Sequence, residues 1–356
     1  MSGGYDSRGI LSMFHLIGKN LKNVKSITWG LKEGLSQPGN DAYVAKKLAK
    51  YYDIEHKYYL TDLSKEPIEK IFHRFLICGE GRIDHISGYM DGFQIWKTLC
   101  EDKVQGIIRG DEGFGWVSVN SPSDVRSRIG ISLCTDFTNL KGFEELGLLQ
   151  PELPEYLKKR ENESLETWRD RLYHQFRMPV VLAGLTDLKL PYVEVINPLL
   201  SRRIVYQMRT ISDHLRTGKS LFKKIVNSIS PNIGYASSGA NSDAGFIFKS
   251  REAVDLFRSE LISENCNSVM PKGFASYLMD NLVTTDRKVN IKQRIKSLLK
   301  RYLPTKLIRK ASDFKGEKAI AVNTLAFRTY MICKMNQILI EDASSSERIE
   351  TADFVK

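Results

Sequence analysis

Two short glycine-rich turns carry acidic and hydroxyl side chains in a pattern that suits polyphosphate chemistry. The chain opens with Ser2-Gly3-Gly4-Tyr5-Asp6-Ser7, and a second turn follows at Gly110-Asp111-Glu112-Gly113-Phe114-Gly115. Adjacent glycines let a backbone turn tightly and approach a phosphate without interference from a Cβ. Ser2 and Ser7 add hydroxyl donors, and the stretch from Arg8 to Ile17 reads as a helix. A phosphate held by the first turn would therefore sit on a helix N-terminus, where unpaired N–H groups point outward. Asp6 would repel a bare phosphate, so its presence points to a bridging Mg²⁺.

The elements that must position these turns follow from hydrophobic patterning. Lys25 to Gly30 and Glu55 to Leu60 read as strands, with a helix from Asp41 to Tyr52 between them whose Val44, Leu48 and Tyr51 share a face. Phe93 to Glu101 reads as a helix, and Val104 to Arg109 as a short buried strand. Strands alternating with helices imply an α/β fold with a parallel sheet and flanking helices. Ligands of such sheets bind beyond the carboxyl ends of strands, where the second turn lies. Beyond Ser121 the pattern is mostly helical. Helices are expected at Phe143–Leu149, Leu165–Phe176, Ile204–Met208, Ser220–Ser228, Ala253–Leu261 and Leu325–Ile340, with a loop at Tyr235–Asp243 and a frayed tail at Ser344-Ser345-Ser346. Residues 1–120 read as the nucleotide-binding α/β region, 121–250 as a helical remainder, and 251–356 as a helical basic extension.

The first turn resembles the PP-loop (SGGxDS) of the N-type ATP pyrophosphatases, and the chain is most similar to the synthetase domain of the asparagine synthetase family. Asn40-Asp41-Ala42-Tyr43-Val44-Ala45 resembles that family's Asp-x-x-x-Ala helix. The stretch Val104 to Trp116 resembles its strand and acidic glycine turn, and Val193 to Ser201 its Val-Glu-x-Arg-x-Pro-Phe-Leu-Asp segment. Gly218-Lys219 precedes a helix, as in the family. The resemblance covers residues 2 to 245 and implies an adenine nucleotide alpha hydrolase-like fold. It also implies the reaction: a carboxylate attacks the α-phosphate of ATP, pyrophosphate leaves, and ammonia or an amine displaces AMP from the acyl-adenylate. Aspartate is the default acyl substrate; a sugar acid or a peptide carboxylate is the alternative. A third reading is a homologue that binds nucleotide or a partner without turnover.

Residue by residue, the resemblance implies Ser2, Gly3, Gly4, Asp6, Ser7 and Gly110 as the pyrophosphate cradle. Asp6 and Asp111 would hold Mg²⁺, and Asp111, Glu112 and Lys219 would serve catalysis; in a second alignment Asp111 deprotonates the attacking amine. Thr28, Trp29 and Gly30 would face adenine, although Trp29 reads equally well as core. His56 reads as a structural histidine, and Glu194 as a residue that orients helices or contacts substrate. Two family residues are replaced: an aspartate by Ser201 and a lysine by Ser238, within Ala236-Ser237-Ser238. Lys219, Lys223 and Lys224 are candidates to supply the missing cation. Only Met1 precedes the first turn, so the strand that should feed it is expected from upstream residues or a partner. A separate glutaminase partner is expected on the same ground, since nothing matches the family's glutaminase domain.

Composition narrows the class further. An apolar content of 42% with 27% charged residues is that of a soluble globular chain. No stretch approaches the roughly 18 apolar residues of a membrane span, and no signal peptide is visible. Five scattered cysteines without C-x-x-C spacing argue against a disulfide framework or a zinc site and fit a cytoplasmic location. Of the net charge of +11, much falls between Asp286 and Lys318, where twelve Lys and Arg face three acidic residues. Ile291, Ile295, Leu298, Leu299 and Leu303 recur there at helical spacing, so a solvated amphipathic face and a contact with an anionic partner are both open readings. Aromatics are not interleaved in that run, which argues against nucleic acid. A homo-oligomer is compatible with the sequence.

Overall fold

The computed structural model describes residues 1–18, 21, 24–61, 64–113, 117–129, 142, 144–148, 152–240, 244–285 and 320–353, with side chains excepted at 127, 244 and 345–353. The basic run from Asp286 to Lys318 lies outside the described residues, as do Phe114, Gly115 and Trp116. The fold is mixed α/β with two small parallel sheets. It divides into two compact units, one formed by Met1–Leu133 and Glu152–Ala244, the other by Cys134–Pro151 and Gly245–Lys356.

In the first unit, α1 (Tyr5–Leu16) leads to β1 (Lys25–Gly30), α2 (Asp41–Tyr51) and β2 (Glu55–Leu60). Strands β1 and β2 pair in parallel, with Lys25 opposite Glu55 and Gly30 opposite Leu60. Helix α2 is the crossover. Asn40 caps it by accepting from the Ala42 amide at 3.0 Å, and Ala42, Val44, Ala45, Leu48 and Ala49 form its buried face. Leu11 of α1 joins Val44 and Leu48 in one apolar cluster, which fixes α1 against α2. After α3 (Ile68–Gly79) and α4 (Gln94–Glu101), β3 (Gly106–Ile108) pairs in parallel with β4 (Glu194–Ile196).

Between β3 and β4 run α5 (Pro122–Ile129) and α6 (Leu165–Leu172). The helix then continues through Tyr173–Leu182 with wide π turns and Pro179 inside it, and on into α7 (Ala183–Asp187). Helices α8 (Arg202–Thr210), α9 (Asp213–Arg216) and α10 (Ser220–Ile229) follow β4.

The second unit contains α12 (Arg251–Leu261), which follows the short α11 (Ala244–Ile247), then α13 (Glu264–Val269), α14 (Lys272–Asn281) and α15 (Val322–Asp353). Its core gathers Leu148, Leu261, Cys266, Phe274, Leu278 and Leu325. Helix α15 continues through Ser344-Ser345-Ser346, so the tail expected to fray there is helical. No helix among the described residues is long and apolar enough to cross a membrane.

Candidate functional site

The first turn closes on itself. The Ser2 amide donates to Ser7 Oγ at 2.9 Å, the Ser7 hydroxyl donates to the Ser2 carbonyl at 3.0 Å, and the two hydroxyl oxygens lie 2.8 Å apart. Gly3 donates its amide to Asp41 Oδ1 at 2.7 Å. A Cβ on Gly3 would lie 2.7 Å from Val44 Cβ, so only glycine lets the turn seat this closely on α2. Gly4 caps α1, and no side chain occupies the cap, which leaves the helix N-terminus available to an anion.

The second turn packs directly on the first. A Cβ on Gly110 would lie 2.8 Å from the Ser7 amide nitrogen and 3.0 Å from Asp6 Cβ. The two acidic residues beside Gly110 then take different partners. Asp111 is gripped by Arg109, with Nε 2.9 Å from Oδ2 and a second contact at 3.3 Å. Glu112 is buried and faces Lys219, whose Nζ is 2.6 Å from Glu112 Oε2, as an ion pair rather than a directed hydrogen bond. The same ammonium bonds both oxygens of Asp6, at 2.8 and 2.9 Å. Asp6 and Glu112 thus share one ammonium, while Asp111 pairs with Arg109, two residues before it on the same side of extended chain.

Lys219 comes from the turn between α9 and α10. Its backbone is left-handed (φ 57°, ψ 34°) and follows Gly218 at φ 65°. Such a conformation in a non-glycine residue persists only where its surroundings impose it. A buried charge network does so. Arg169 Nε lies 2.9 Å from Asp170 Oδ1 and Arg216 Nε 3.3 Å from Asp170 Oδ2, while Arg216 also bonds Asp213. Arg169 reaches Thr217 Oγ1 at 3.5 Å and the Val117 carbonyl at 2.6 Å, so the network holds the first residue of the Lys219 turn. Helix α10 packs on α1 through Gly9, where a Cβ would lie 2.9 Å from Val226 Cγ2.

Burial, then the repulsion of Asp6, pushes Glu112 up to about 8 against the pull of Lys219. Burial, with Glu112 adding to it, also raises the Tyr173 phenol to about 12. His174 donates from Nε2 to the Gly113 carbonyl, and its Nδ1 accepts from Arg209 Nε at 3.1 Å. Burial and the Arg209 charge lower His174 to about 4, so it is a neutral imidazole of fixed tautomer that braces the second turn.

A third segment completes the surroundings. Fully buried Arg8 donates to the carbonyls of Ile233 and Gly234 at 2.6 and 2.9 Å, and its guanidinium lies 3.8 Å from the Tyr235 ring centre. Tyr235 stacks on Tyr5 at 3.8 Å and 15°. The Ala236 amide donates to the Gly3 carbonyl at 3.1 Å. Residues 236–238 therefore run beside the first turn, but Ala236, Ser237 and Ser238 bring no positive charge to it.

Among the residues expected at adenine, the Thr28 hydroxyl donates to the Met1 carbonyl at 2.5 Å and Trp29 packs edge-on against Trp96 at 5.5 Å. The Gly30 carbonyl accepts from Thr61, and a Cβ on Gly30 would lie 2.5 Å from Ala240 Cβ. His56 bonds Ser26 Oγ at 2.8 Å and is lowered to about 4, chiefly by burial. Glu194 is exposed on β4, and Ser201 heads α8.

Sequence reading overlooked Arg109, Tyr173, His174 and the Arg169–Asp170–Arg216 network. It also overlooked Lys189, which is buried over the rings of Tyr89 and Trp96 at 5.8 and 5.6 Å and donates to the Leu185 carbonyl. Burial, then the nearby Arg109 charge, lowers Lys189 to about 7. Arg109 was detectable as a cation two residues before Asp111; the others carry no local signal. Comparison with protein-family models, with curated proteins and with solved structures returned no match.

Proposed function

We propose that this chain is an ATP- and Mg²⁺-dependent amide ligase of the asparagine synthetase type, built on a PP-loop nucleotide-binding fold. The observation that carries the reading is the meeting of Asp6, Glu112 and Lys219 at the uncapped N-terminus of α1. Two carboxylates from separate turns share one ammonium, so the cluster is short of positive charge. That donor set fits Mg²⁺, which prefers oxygen ligands and takes one or two carboxylates together with phosphate oxygens and water. Asp6 and Glu112 would hold the ion. When bound it would neutralise charge on the triphosphate and the leaving pyrophosphate.

This chain's own residues do the rest. The N-terminal end of α1 receives the phosphate, and Lys219, partly freed from the carboxylates, offers its ammonium to the same oxygens. Glu112 would give up its proton as the ion binds and stay with Asp6 as a carboxylate beside Lys219. His174 and the charge network keep both turns in register.

Aspartate is the default acyl substrate by resemblance. Ser201 at the head of α8, where the family has an aspartate, favours a second reading in which a different carboxylate is activated. The test is release of pyrophosphate and AMP from Mg-ATP with aspartate and ammonium, then with a panel of carboxylates, beside an Asp6→Asn control. Asp6-dependent release of both products supports the ligase. Tight Mg-ATP binding without AMP from any carboxylate replaces it with a nucleotide-binding protein.

A further inference from the structure

We propose that Lys223 is the second cation of the pyrophosphate subsite, supplied from α10 where residues 236–238 supply none. This inference rests on the nucleotide-binding reading above. A triphosphate brings about four negative charges, and Lys219 is already committed to two carboxylates. Lys223 lies in the first turn of α10, four residues after Lys219. Its ammonium is 5.4 Å from the ring centre of Tyr5, which belongs to the first turn of α1 and adjoins Asp6.

The other face of Tyr5 is covered by Tyr235, and Tyr235 is covered in turn by Arg8. Lys223 thus caps a four-membered stack whose base is fixed by the Arg8 hydrogen bonds to Ile233 and Gly234. Among the described residues Lys223 is in no ion pair. An ammonium resting on an aromatic face is held weakly, so it can swing to an anion arriving at the neighbouring helix N-terminus. Lys224 is exposed, about 100° further round the helix, and serves as the control.

The experiment measures binding of Mg-pyrophosphate and of Mg-ATP by calorimetry to the full chain and to Lys223→Met, Lys223→Arg and Lys224→Met. Unfolding curves check that each variant is folded. The expected result is a ten- to hundred-fold loss of Mg-pyrophosphate affinity in Lys223→Met, on the order of one charge-assisted contact. Lys223→Arg should retain most of the affinity, Lys224→Met all of it, and the affinity for AMP should not change in any variant. Wild-type affinity for Mg-pyrophosphate in Lys223→Met would overturn the role of Lys223 and leave the nucleotide site standing. Failure of the wild-type chain to bind either ligand would overturn both.

Discussion

Among the described residues of the first unit, two buried charge clusters are built to opposite rules. The brace, Arg169 and Arg216 with Asp170 and Asp213, sets two guanidiniums against two carboxylates. Ser164 and Thr167 add hydroxyl bonds to Asp213 at 2.6 and 3.0 Å. Its members come from two helices, α6 and α9. The other cluster sets Asp6 and Glu112 against Lys219 alone, from three distant segments and with its cation on left-handed backbone. Burial raises both Asp170 and Glu112; two guanidiniums oppose the rise at Asp170 against Asp213, whereas Lys219 opposes it at Glu112 against Asp6 and Asp111, and Glu112 reaches about 8. A buried cluster that closes its own charge is a structural device. One left short of a positive charge would, on the proposed function, receive a cation and whatever that cation brings.

The sharpest way to break this comparison is to remove the central charge of each cluster. Asp170→Asn leaves buried Arg169 without its carboxylate and Arg216 with Asp213 alone, and should cost about 3–5 kcal/mol of stability, read from denaturant unfolding. Lys219→Met should instead lower the pyrophosphate-release rate by about 10²–10³, a loss typical of one electrostatic donor. Its stability cost should be the smaller of the two, because Glu112 can take up a proton. Equal destabilisation by both variants, with Mg-ATP binding intact in Lys219→Met, would mean that both clusters are braces.

Proton linkage sharpens the contrast. Glu112 is raised from 4.5 to about 8 in the folded chain, so between those values the folded state binds more protons than the unfolded. Its contribution to stability therefore falls as pH rises from about 4.5 to about 8, and Glu112→Gln should flatten that limb. Mg-ATP binding at pH 6–7 should release roughly one proton, visible as a dependence of the calorimetric heat on buffer ionisation. Absence of that dependence would place the metal away from Glu112.

Lys189 provides the smallest expected effect and the opposite sign. Its value falls from 10.5 to about 7, so between those values the unfolded state binds more protons and stability rises with pH. Lys189→Met should remove this rise and stabilise the chain near neutrality by about 1–2 kcal/mol, on the scale of burying a polar group. A loss of stability would show that the ammonium is held by Tyr89, Trp96 and Asp111 more strongly than burial opposes it.

Much of the local structure was legible. Strands β1 and β2 fall at the residues read from alternation, and α2, α4, α6 and α10 start and stop within a few residues of their patterns. The wide-turn helix Tyr173–Leu182 was not, because Pro179 reads as a stop in a sequence while a π turn can carry a residue without an amide donor. Helix α15 passes through three serines that read as a tail, in a helix long enough to override local preference.

The sequence by itself determined the materials of the candidate site: the glycines that permit close approach, the acidic residues at Asp6 and Asp111-Glu112, and the lysine after Gly218. These are local facts, set by residue type and short spacing. Tertiary structure alone decided that Asp6 and Glu112 meet at Lys219, that Asp111 pairs with Arg109, and that a distant network holds the Lys219 turn. Those outcomes depend on how closely α10 settles on α1 at Gly9 and how the second turn seats on the first at Gly110. Charges more than a hundred residues apart meet or miss by a few ångströms of packing, and no short spacing in a chain records such a distance.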